Sequence, residues 1–217
     1  MRFLINKVLL NPGVLMPFGL LFAFFGFCAL TELSSAQRQL RQFEQLQPMS
    51  AATSGQTAFI EGVISNRNRI VHRQFTAYLR EEYRSSGRNS QWVKVAHHTP
   101  PLFIDANGQA IRVLNNNYVL EKTDVTIEEA PPTFSKGAAQ TRGFVVGSPV
   151  LTVGTISENG KEFVAEFLYA GTCAEFTAYL NRKVHFGLWD SSTFLLIGVL
   201  LTILGLRQLW LFLREEG

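Results

Sequence analysis

Two apolar runs separate the ends of the chain from its middle. Residues 14–33, VLMPFGLLFAFFGFCALTEL, carry no charge before Glu32, and residues 194–213, FLLIGVLLTILGLRQLWLFL, are interrupted only by Arg207 and Gln208. At about 1.5 Å of helical rise per residue, each run is long enough to cross a hydrocarbon core of roughly 30 Å. Arg207 can snorkel to the headgroups, and Trp189 and Trp210 suit the two interfaces. A cleaved signal peptide is the competing reading of the first run, with residues 34–36 as its cleavage site, but the run is longer than a typical h-region.

After the first run Leu33, Leu40, Phe43 and Leu46 keep a helical spacing until Pro48, which extends the helix as a juxtamembrane segment over residues 34–48. From Gly55 the period changes to two. Residues 57–64, 75–83, 91–95, the stretch 99–113, and residues 118–122, 150–157 and 162–169 read as short strands. SSGRNS (85–90) and ENG (158–160) read as turns, and residues 129–143, with two prolines and two glycines, as a long connection.

The expectation is a membrane-anchored, mainly β protein: a small antiparallel barrel or sandwich, with an OB-like barrel as one form, between two transmembrane α-helices. Its parts are a tail (1–12), transmembrane helix 13–33, juxtamembrane helix 34–48, β-rich domain 55–172, transmembrane helix 190–213 and tail 214–217.

The sharpest local pattern is TPPLFIDANGQAIRV, residues 99–113. Asp105, two positions before Asn107-Gly108, opens either a calcium loop or a hairpin. Counted as a twelve-residue calcium loop, the stretch places Ala110 where glycine is required and Asn116 where the bidentate glutamate should stand. As a hairpin, Asn107 and Gly108 supply the positive φ angles of a type I′ turn, and the pairs 106/109, 104/111 and 102/113 share one largely apolar face. Asp105 is then expected to accept hydrogen bonds from the turn's backbone.

A net charge of +3 over 217 residues does not call for a nucleic-acid partner. Arg67, Arg69 and Arg73, with His72, form the densest basic cluster. A solvated edge is its ordinary meaning, and contact with an anion or lipid headgroup its sharper one. Two cysteines, Cys28 and Cys173, make neither a disulfide framework nor a four-cysteine zinc module. His97-His98 and Glu81-Glu82 are sequence neighbours on strands, so each pair points to opposite faces and converges poorly on a metal or substrate. No nucleophile elbow or phosphate loop occurs. No catalytic residue, metal or cofactor is expected, and the protein is read as a non-enzyme.

Small residues recur at i, i+4 and i+7 in both apolar runs: Gly19, Ala23 and Gly26 in the first, Gly198, Thr202 and Gly205 in the second. Such stripes let helix backbones approach in lipid. They are expected to pack the two helices as a hairpin; docking on a neighbouring membrane protein is the alternative.

Phe103, Asp105, Gly108 and Val113 fit F-x-D-x-x-G-x-x-x-x-V, which resembles the hairpin of the GIDE, or beside-a-membrane (BAM), domain. That domain lies between two transmembrane helices in membrane-anchored RING ubiquitin ligases of mitochondria and plastids, and in bacterial relatives without the ligase. Glu61-Gly62-Val63-Ile64-Ser65 is similar to the family's opening strand, and Gly147-Ser148-Pro149-Val150 with Val153-Gly154 to its late strand. No cysteine or histidine follows the second apolar run to serve a RING, so ubiquitin transfer is not carried over. The resemblance implies a β-rich interaction domain held beside a bilayer, an accessory or scaffold subunit whose partner is another membrane protein or complex. The alternative is a tethered domain that binds a small ligand or lipid headgroup. A bacterial inner membrane or an organelle-type membrane is expected, with cytoplasmic termini and an extracytoplasmic domain. Arg2, Lys7, Arg207 and Arg214 on one side nearly balance Arg38, Arg41, Arg182 and Lys183 on the other.

Overall fold

A computed structural model describes residues 12–86, 89–129 and 138–215. It divides into two compact units: a helical one, and a β unit spanning Gln45–Phe176. The helical unit holds α1 (Pro12–Glu44) and, from Thr177 onward, α2 (Cys173–Glu215).

The β unit is organised around a closed barrel of five strands. β2 (Thr57–Ile64) pairs with β10 (Pro149–Ile156), which pairs with β11 (Glu162–Ala170). β11 runs parallel to β6 (Gln109–Val113), β6 forms a hairpin with β5 (Leu102–Ala106), and β5 returns to β2. Alternation decides which side chains enter: Leu102, Ile104 and Ala106 of β5 are buried, whereas Phe103 and Asp105 are half-buried. Closure requires close approach at the β2/β5 seam. A Cβ at Gly62 would strike the Asp105 carbonyl oxygen and the Ile104 side chain. Opposite, a bulge between Val153 and Gly154 bends β10, and a Cβ at Gly154 would meet the Val164 carbonyl oxygen.

Two short strands border the barrel: β1 (Gln47–Pro48), parallel to β2, and β7 (Val119–Lys122), parallel to β11. Tyr118, just before β7, is fully buried and donates its hydroxyl to the Pro100 carbonyl at 2.7 Å. Burial raises its phenol far above the usual range, so it remains a donor.

A second sheet has the order β4-β3-β9-β8, from β3 (Phe75–Ser86), β4 (Asn89–His98), β8 (Val125–Glu129) and β9 (Ala139–Val145). Ala77 and Leu79 of β3 and Phe144 of β9 belong to the same hydrophobic cluster as the barrel interior.

Four expectations need correction. Residues 139–143 are not connection: they pair with both β3 and β8, and Gly143 is there because a Cβ would strike the Ala77 carbonyl oxygen. The earlier part of that segment, 130–137, lies outside the described residues. Most of SSGRNS continues the β3/β4 ladder through Ser85↔Ser90 and Ser86↔Asn89, while residues 87–88 lie outside the described residues. The first helix stops at Glu44, because Gln47 and Pro48 pair with Ala58 and Phe59 instead of extending it to residue 48. The second helix starts at Cys173 instead of residue 190. Its start is a capping box: the Thr172 hydroxyl accepts from the Glu175 N–H at 3.2 Å, and the Glu175 carboxylate accepts from the Thr172 N–H at 2.9 Å.

Both helices contain segments long and apolar enough to cross a membrane, Pro17–Glu44 with mean hydropathy 1.6 and Cys173–Arg207 with 1.7.

Candidate functional site

The Asn107-Gly108 turn joins β5 to β6 with two residues at φ 51° and 76°, the left-handed pair of a type I′ turn. The register follows from it: Ala106↔Gln109, Asp105↔Ala110, Ile104↔Ile111, Phe103↔Arg112 and Leu102↔Val113. Asp105 plays a different part from the one expected. Among the described residues nothing donates to its carboxylate; its backbone instead sits at the barrel seam, opposite Val63.

The turn borders an open groove of about 1350 Å3 that follows β2. Met49, Phe59, Val63 and Ile111 supply its apolar wall, and Glu61, Arg67 and Lys161 its charges. Phe59, Glu61 and Val63 point out of the barrel, because the alternate positions Ala58, Ile60 and Ile64 fill it.

Asn68 holds the loop after β2 in place. Its side-chain nitrogen donates to the Phe103 carbonyl at 2.7 Å and its side-chain oxygen accepts from the Phe103 N–H at 2.7 Å. Asn115 does the same to Ala165, at 2.7 and 2.8 Å. Each amide thus stands in for a strand neighbour. The Asn68 clamp fixes where Arg67 emerges. Of the three arginines singled out from sequence, Arg67 lines the groove; Arg69 and Arg73 are exposed outside its lining.

On the second sheet, sequence neighbours part. His98 lies opposite Tyr78 and His97 opposite Leu79. The His98 and His72 rings flank Tyr78 at 5.7 and 5.0 Å. His97 titrates below the usual imidazole range, through burial first, then the Lys94 and His98 charges. Glu81 accepts from Arg142 at 3.2 Å and Gln140 at 2.8 Å, while Glu82 accepts from Arg80 and Arg84, each at 3.3 Å. Among the described residues, no three His, Cys, Asp or Glu side chains are grouped to hold a metal.

In the helical unit the small residues meet. A Cβ at Gly19 would strike Thr202, one at Gly198 would strike Ala23, and one at Gly26 would strike Leu195. Gly205 is buried as well. The contacts run antiparallel in one register from Gly19/Thr202 to Gly26/Leu195, and shift by one residue by Leu33/Gly187. Buried Gly19, Gly26 and Leu33 repeat every seven residues, as do Ala36 and Phe43, the period of a left-handed helix pair. Thr202 donates its hydroxyl to the Gly198 carbonyl at 2.8 Å, so that donor is not stranded in the seam. Phe22 and Phe25 pack around Phe194 at 5.9 and 6.5 Å.

No protein-family model matches the chain, and comparison with curated proteins and with solved structures gives no match.

Proposed function

We propose that the protein is a two-span membrane protein of GIDE-like type that holds a β-barrel interaction domain beside a bilayer, without catalysis, as an accessory or scaffold subunit of a larger membrane complex. One observation carries this. A paired helical hairpin turns its large apolar side chains outward, with Phe24 and Phe27 each 62% exposed and Leu196 65% exposed. Water disfavours so continuous an apolar surface, and hydrocarbon accepts it.

Three further features support the reading. Numbered along the chain, the barrel strands neighbour one another in the order 1-2-3-5-4-1, with the third and fifth parallel, which is the OB-like arrangement. The barrel itself closes without a free edge, and the groove along β2 offers a partner a face that carries Phe59 and Val63 together with Arg67 and Lys161. The residues quoted for the GIDE resemblance fall at backbone constraints of that barrel: Gly62 at its seam, Gly108 in its turn and Gly154 at its bulge. Termini in the cytoplasm of a bacterium or on the equivalent side of an organelle membrane complete the proposal.

The test is extraction of the full chain from its native membrane in mild detergent, followed by quantitative mass spectrometry. A membrane protein should co-purify in fixed ratio, and Phe59→Asp with Val63→Asp should lose it while the chain stays membrane-bound. Recovery of the chain alone, with a small molecule that raises its melting temperature, would replace this function with ligand binding in the groove.

A further inference from the structure

The paired helices continue past the ends of the apolar runs, and there the groove between them changes character. It encloses about 790 Å3. Its buried side is Leu33 against Gly187; its exposed side carries Gln39, Arg182, Lys183 and Phe186, the last 69% exposed. The charged residues of its lining, Arg182 and Lys183, are both basic. Arg38 and Arg41 stand near it in sequence, and the nearest acids in sequence are Glu32, Glu44, Glu175 and Asp190, none of them in the lining among the described residues.

We infer that this groove binds the phosphodiester headgroup of an anionic phospholipid. The inference rests on the proposal that α1 and α2 cross a bilayer, since the groove then lies at headgroup level. Arg182 can offer two parallel N–H donors to one phosphate, which a lysine cannot. Lys183 holds its ammonium 4.9 Å over the ring of Tyr179, which also lines the groove. Leu33 and Phe186 give the first acyl carbons an apolar bed beneath the phosphate. A site of this kind between two helices differs from diffuse surface charge, because Arg182 and Lys183 line the groove while Arg38 and Arg41 do not.

The experiment reconstitutes the full chain in nanodiscs of phosphatidylcholine with a minor fraction of phosphatidylglycerol, and weighs the lipids it retains by native mass spectrometry. Two cations at the headgroup plane predict a roughly thirtyfold preference for phosphatidylglycerol at low salt. Arg182→Gln with Lys183→Gln should abolish that preference, and Arg38→Gln with Arg41→Gln should leave most of it. Equal loss in both pairs would mean diffuse attraction and overturn the site. So would displacement of the lipid by millimolar inorganic phosphate, which would mean recognition of free anion. No enrichment in a chain that resists alkaline carbonate extraction overturns this inference alone; a chain that carbonate releases overturns the two-span proposal beneath it.

Discussion

Gly62, Gly143 and Gly154 are defined by what occupies the space a side chain would need. In each case it is a carbonyl oxygen of the neighbouring strand: Asp105, Ala77 and Val164 respectively. Gly108 is different, with open space around its missing Cβ and only its positive φ to explain it. The two classes respond differently to substitution. Gly62→Ala should destabilise the β unit by about 2 to 3 kcal/mol, because the seam must open to admit a methyl group. Gly108→Asn should cost less than about 1 kcal/mol, since asparagine tolerates the left-handed region. Thermal melts of the full chain followed by β-sheet circular dichroism would rank them, and the reverse order would remove the seam explanation. The Asn-Gly turn was legible because its chemistry is local. The Asn68 and Asn115 clamps were not: their partners lie 35 and 50 residues away, and no spacing rule announces an amide that substitutes for a strand.

At the scale of elements, period and length were readable and boundaries were set by tertiary pairing. The apolar run alone starts the second helix at residue 190, yet Phe176, Leu180, Val184 and Gly187 continue the helical period backward to the Thr172/Glu175 box. That box was the available signal. β9 was hidden for the opposite reason: Gly143 looks like a loop marker until Ala77 lies across it. The helix seam gives a prediction of its own. Gly198→Leu would drive a branched side chain into the Ala23 and Gly19 backbone, so α1 and α2 must separate. With Cys173→Ala, spin labels on Cys28 and on Thr193→Cys sit at one level of the antiparallel register, and both positions are exposed. Gly198→Leu should lengthen and broaden their distance distribution; an unchanged distribution would show that these backbones do not define the pairing.

For the whole molecule, the barrel's closure depends on pairs such as Val63↔Asp105 and Glu162↔Arg112, which join segments about 40 and 50 residues apart. Strand periodicity therefore left barrel and sandwich open, and only the ladder decides between them. Whether the molecule spans a bilayer can be asked of its two cysteines, neither in a disulfide. Cys28 is exposed on α1 within the apolar run, and Cys173 opens α2, outside it. In water the exposed Cys28 would meet a thiol reagent at least as readily as the half-buried Cys173. In a bilayer the Cys28 surface faces hydrocarbon, which a charged maleimide does not enter, whereas Cys173 lies beyond the core. Treatment of native membranes with such a reagent should label Cys173 and leave Cys28 for labelling only after denaturation in dodecyl sulfate. Intact cells add the orientation: Cys173 should react from outside if the β unit is extracytoplasmic, and only after lysis if it is not. Equal labelling of both cysteines in sealed membranes would place α1 in water and remove the basis for a two-span protein.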